Sequence, residues 1–262
     1  LDNAPLGEML SRTLPFDRIQ ANIDAGTLYA LCVTASGYSS GQSVSFFQAG
    51  AGSEGWERNQ RIGAAVALKL EYLLASAALP FIFPAVKVHR EYFGDGSMRQ
   101  IAPVSPALHL GADRVLIVGT GRQTQEQARA RSNVYPSFAQ IAGHALNSIF
   151  LDSLAVDIER LNRVNQTLSM LPEEFLARTP LKPVELLVIA PSERLDDIAV
   201  RHIGSLPSPI RAMLSGIGAT EARGAALASY LLYESTYTCE LIQLGQRDTL
   251  ARKADVLAFF HS

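Results

Sequence analysis

The sequence predicts an α/β fold: a mostly parallel central sheet sandwiched by helices, with a helical C-terminal extension. Three observations carry this. Two continuous apolar runs, Arg114-Val-Leu-Ile-Val118 and Leu186-Leu-Val-Ile189, have the form of strands covered on both faces. Stretches with helical spacing surround them, the alternation a parallel sheet requires. Of the 262 residues 48% are apolar and 18% charged, enough to bury a sizeable core and too few charges for a disordered chain.

The elements follow in order. Asp2 to Leu14 reads as a helix, with Asp2 or Asn3 to cap it, Pro5 in its first turn and Leu6, Met9 and Leu10 on one face. Residues 28–35 and 43–48 are β-rich runs joined by Gly37-Tyr-Ser-Ser-Gly41, a hairpin. Asn59 to Ala78 is rich in Ala and Leu and reads as one helix ending before Leu79-Pro80. Val86 to Phe93 forms a tight hairpin around Arg90, and Pro106 to Leu110 a brief helix closed by Gly111. Helical spacing returns from Ser137 to Leu171, over Ala222 to Glu234 and over Arg247 to Phe260. The polar run Arg122 to Pro136 reads as a loop, and Arg178 to Pro183 as a connection between units.

Charge and composition exclude several functions. A net charge of −2 gives no basic face for nucleic acid and is a poor sole anchor for an anionic membrane. Arg122, Arg129 and Arg131 are read as a solvated face. The apolar window Ile62 to Phe83 holds Lys69 and Glu71 and stops at Pro80, so it reads as a buried helix and not a membrane span; Leu79 to Phe83 reads as core packing, with the wall of an acyl pocket or a contact with a membrane surface as the alternatives. Cys32 and Cys239 sit in apolar settings and are read as buried free thiols without ligand spacing for a metal. No basic-then-apolar leader is seen, so no signal peptide is expected, and the start at Leu1 reads as the interior of a longer sequence.

Several motifs are weaker than their form. Gly37 to Gly41 fits G-x-S-x-G around Ser39, yet that motif needs a helix after the serine, and the exit here is an alternating β-type run. Gly119-Thr-Gly121 lacks the third glycine of a dinucleotide loop, position 124 being Thr124. His89, His109, His144, His202 and His261 have no spacing that suggests a metal or a triad. His109 precedes a helix C-terminus, where an imidazolium is favourable. Each is read as structural or surface.

One succession is specific. Ala75-Ser-Ala-Ala-Leu-Pro-Phe-Ile-Phe-Pro84, Val86-Lys-Val-His89, Tyr92-Phe-Gly-Asp-Gly96, Ala102-Pro-Val-Ser-Pro-Ala107 and Leu110-Gly-Ala-Asp-Arg-Val115 occur in this order. Together they resemble the patatin-like phospholipase family, bacterial type. Leu1 to Leu10 resembles its segment after the nucleophile, Leu31 to Phe47 its central hairpin, and Val188 to Ser192 with Ser229 to Tyr233 an extension of bacterial members.

The resemblance implies a serine–aspartate dyad hydrolysing acyl esters of lipids on a patatin-like fold. Residues 1–135 would be the C-terminal part of the catalytic domain, and 136–262 a mainly helical region packing on it. Asp95 would be the general base, flanked by the motif-supporting Gly94 and Gly96, with no cofactor and no metal. The implied partner is a lipid ester, at a membrane interface or in the cytoplasm. The sequence departs from the family at Ser97, where Gly or Ala is usual, and at Arg99-Gln-Ile101, where asparagines are common. Neither the Gly-rich oxyanion loop nor the nucleophile elbow occurs, so the chain holds one half of the dyad. The alternative is a catalytically silent patatin-like module that binds lipid or regulates a partner.

Overall fold

A computed structural model describes residues 2–121, 137–216, 218–220 and 225–261. The polar run 122–136, with Arg122, Arg129, Arg131 and Thr124, lies outside the described residues, as does the expected boundary at 135. The contacts divide the chain into two compact units, Leu1–Ala112 and Asp113–Ser262. The class is mixed α/β.

The first unit opens with α1 (Ala4–Thr13) and α2 (Asp17–Asp24). The Asp2 carboxylate accepts from the Ala4 amide at 2.9 Å, so Asp2 holds the start of α1. A hairpin follows, β1 (Ala30–Gly37) and β2 (Ser43–Ala49), where the sequence placed it. Then come β3 (Trp56–Arg58), β4 (Arg61–Ala65) and α3 (Leu70–Ser76). The hairpin of β5 (Val86–Val88) and β6 (Glu91–Asp95) turns on His89 and Arg90. A 3₁₀ turn over Gly96–Arg99 and α4 (Ser105–His109) complete the unit.

The six strands run in the order β3-β4-β2-β1-β6-β5. Of the five pairings only β2 with β4 is parallel, so this sheet is mostly antiparallel and the expected parallel sheet is corrected. The reason is connection length: strands joined by short turns must pair antiparallel, and three hairpins do so here. One face carries Ala35, Val44, Phe46 and Phe93, packed with Leu68, Tyr72, Ala75 and Val88 into the unit's core. The other carries small hydroxyl side chains, Ser36, Ser43 and Ser45, yet is also buried.

The expected helix 59–78 is a strand and then a shorter helix. Its first half joins β2 edge-on, and Gly63 makes room for the Trp56 ring, which a Cβ would meet at 2.2 Å. Helix propensity is a weak prior against such packing. The Leu79–Phe83 segment is not all core: Phe81 is 101% exposed and takes φ +66°.

The second unit comprises β7 (Arg114–Val118), α5 (Phe138–Ser169), α6 (Glu173–Leu176), β8 (Glu185–Ile189), α7 (Leu195–His202), α8 (Ser208–Gly216), α9 (Ala225–Ser229), α10 (Ser235–Ala251) and α11 (Lys253–His261). β7 and β8 pair in parallel, as two crossover-linked strands should. β7 is not covered on both faces, since Leu116 and Val118 are exposed while Ile117 is buried. The Ser137 hydroxyl accepts from the Gln140 amide at 3.2 Å and caps α5. Further along α5, the Asn165 amide bonds both ways with the backbone of Val184. The main core joins Ile198, Leu214, Ala228, Leu232, Tyr237 and Leu244 from α7 to α10. The helix expected over 247–260 is instead the end of α10 and α11, which break at Arg252.

Candidate active site

Asp95 stands at the C-terminal end of β6, opposite Ala35 of β1. Its amide donates to the Ala78 carbonyl at 3.0 Å, tying β6 to the end of α3. Its carboxylate Oδ1 accepts from the Ser97 amide at 2.8 Å, so the same side chain caps the 3₁₀ turn that follows. Burial pushes the carboxyl above the ordinary aspartate range, opposed by hydrogen bonds from the Ser97 amide and hydroxyl. A half-buried carboxylate of raised proton affinity is a better base than a solvated one.

The two glycines differ in what they permit. A Cβ on Gly96 would lie 2.1 Å from the Thr34 carbonyl oxygen and 2.8 Å from its carbon, both backbone of β1. Only glycine lets the chain after Asp95 lie this close to β1. A Cβ on Gly94 would meet the Tyr38 hydroxyl at 2.5 Å, the far end of a half-exposed side chain. Gly96 is the stricter position. Beside it the Ser36 hydroxyl points at the Gly96 carbonyl at 3.4 Å, and Thr34 and Ser45 share a hydrogen bond of 3.2 Å across β1 and β2.

Ser39 lies in the exposed turn between β1 and β2, with a strand after it where a nucleophile elbow would have a helix. The Glu91 carboxylate closes that turn, accepting from the amides of Ser39 at 2.8 Å and Ser40 at 2.6 Å. Glu91 was not singled out by the sequence, because its partners are backbone groups 51 and 52 residues away.

No histidine is hydrogen-bonded to Asp95 among the described residues. His89 meets the Tyr72 hydroxyl at 3.2 Å and takes φ +53° in the β5–β6 turn. His202 Nε2 lies 2.5 Å from Glu240, and His261 Nδ1 2.8 Å from the Leu257 carbonyl. His144 is exposed on α5. His109 stacks on Trp56, with ring centroids 4.8 Å apart, and Trp56 in turn stacks on Phe47 at 5.1 Å. The sequence did not bring these rings together, nor Arg58 and Arg61 beside them.

Both cysteines are free. The Cys32 thiol is pushed up to about 11 by burial, whereas Cys239 is exposed on α10, which corrects its expected burial. Among the described residues no cluster of His, Cys, Asp or Glu could hold a metal ion, and no helix is long and apolar enough to cross a membrane. Gly119 follows β7, its amide bonded to the Ile189 carbonyl at 2.9 Å, but the residues after Gly121 lie outside the described chain. Asp95 lines neither the cavity of about 450 Å³ along α5, walled by Val156, Arg160, Val164, Leu168 and Leu181, nor that of about 310 Å³ beside Gln48. No family model and no curated protein matches this chain.

Proposed function

We propose that the chain is part of a patatin-like lipid acyl hydrolase, acting on carboxylic ester bonds of phospholipids or related lipids. Asp95 is its general base, and the nucleophilic serine is not among these 262 residues. The observation that carries the reading is the ordered succession of segments around Gly94-Asp95-Gly96. The half-buried carboxyl and the close passage of Gly96 against β1 support it.

In the proposed reaction the Asp95 carboxylate takes the proton of the serine hydroxyl as its oxygen attacks the ester carbonyl. The alcohol leaves with that proton, and water then hydrolyses the acyl-serine by the same route. Labelling the full-length protein with a fluorophosphonate tests the premise. Incorporation at one serine, protected by phospholipid substrate, is expected. A protein that hydrolyses no lipid ester and takes no label is the silent lipid-binding module, the second reading.

A further inference from the structure

A second cluster of chemistry lies on the β3–β4 hairpin, and it owes nothing to the reading of Asp95. β3 and β4 join through Asn59 and Gln60, with Gln60 at φ +59°. Arg58 and Arg61 are the pair that closes this turn, and Trp56 pairs with Gly63 two positions further in. Alternation therefore puts Arg58, Arg61 and Trp56 on one face and the Glu57–Ile62 pair on the other. Two like charges directly opposite each other destabilise a hairpin. Among the described residues neither guanidinium is in an ion pair; Arg58 donates from Nη1 only to the Glu57 carbonyl, at 2.9 Å.

The face they share is built. Gly63 lets the Trp56 ring lie flat over β4, and His109 of α4 stacks on that ring at 17° between planes. The imidazole feels the two arginines: burial first, then Arg58 and Arg61, lower its proton affinity. Two forked donors and an aromatic ring carrying an imidazole thus share one face of the hairpin, where among the described residues no carboxylate pairs with the arginines.

We infer that Arg58, Arg61 and His109 form a binding site for a tetrahedral oxyanion, the phosphate group of a soluble ester or of a lipid headgroup. Guanidinium forks match phosphate oxygens in pairs, and a bound dianion relieves the repulsion between the two arginines. It also favours protonation of His109, which then adds a third donor.

Trp56 is the one tryptophan of the chain, so its emission reads this site alone. Inorganic phosphate added to the whole protein at low, matched ionic strength is expected to change that emission saturably. Arg58→Gln and Arg61→Gln should each weaken binding about tenfold, the worth of a charged hydrogen bond. The double variant should lose the response with no fall in melting temperature, because the substitutions remove the repulsion between facing charges and neither side chain is in an ion pair among the described residues. Co-sedimentation with vesicles identifies the source. Retention by vesicles containing phosphatidic acid but not by neutral phosphatidylcholine, lost in the double variant, assigns a headgroup. A phosphate response with no vesicle retention assigns a soluble phosphate ester. A response equally given by chloride, or one that survives in the double variant, overturns the site. So does no saturable response.

Discussion

Replacing Gly96 by alanine tests the packing that places Asp95. The added Cβ would sit 2.1 Å from the Thr34 carbonyl oxygen, against an ordinary carbon–oxygen contact of about 3.3 Å. The 3₁₀ turn and β1 must therefore part by roughly 1 Å, where Ala35 pairs with Asp95 and the Asp95 amide is bonded to Ala78. Overpacking of this kind costs about 3 kcal/mol. The stiffer unfolded chain offsets roughly 0.7 kcal/mol, leaving a loss of about 2 kcal/mol. Trp56 lies in the same unit, so its emission follows that unit's unfolding in urea. With a slope of about 2 kcal/mol per molar, the midpoint should fall by about 1 M. Gly94→Ala is the control: its Cβ meets only the tip of Tyr38, which can swing into solvent, and the loss should stay below about 1 kcal/mol. A Gly96→Ala midpoint within about 0.2 M of the wild type, or a larger loss for Gly94→Ala, would refute the reasoning.

Phe81→Gly should raise stability by about 1 kcal/mol, because the fully exposed ring contributes no burial and φ +66° is costly for any side chain. Thermal unfolding reads the gain, and a loss would show that the ring packs against something. His109 is held below the ordinary imidazole range, so its neutral form is favoured in the fold. The stability it contributes is present above the unfolded imidazole value, about 6.5, and is lost as pH falls towards the lower folded value. His109→Gln should therefore flatten the acid side of the stability–pH curve; an unchanged slope contradicts the assignment. Asp95 has the opposite sign. Its raised folded value favours the protonated form, a contribution present below the ordinary aspartate range and lost as pH rises through the folded value. Asp95→Asn, whose carboxamide oxygen can still accept from Ser97, should be at least as stable as the wild type at neutral pH in chemical unfolding. Marked destabilisation there would make Asp95 a structural residue.

Two of the three hairpins were legible because turn chemistry is local. Gly37 to Gly41 announces the β1–β2 turn, and His89 with Arg90 sits between two alternating runs. Arg61 to Ala65 misled because its small residues suit a helix, while the free edge of β2 and the Trp56 ring over Gly63 make it a strand. Those are tertiary facts that no window of sequence holds. The apolar runs of β7 and β8 do pair in parallel, though Leu116 and Val118 are open to solvent; the parallel sheet was overdrawn by extending it to the first unit, whose short turns make antiparallel hairpins. Asp95 was singled out only through the order of its neighbours, since an Asp-Gly pair alone reads as a turn. The demand for Gly96 comes from Thr34, far away in sequence, and the cluster of Arg58, Arg61 and His109 spans three elements. Such sites become visible only once the chain is folded.

Phospholipid hydrolysis by the full-length protein with Asp95→Asn tests most directly the proposed role of Asp95 as a base. Loss of the partner of a nucleophilic serine typically lowers turnover by about 10³-fold or more. That loss is expected, together with unimpaired folding. Normal turnover by a folded Asp95→Asn protein would contradict it.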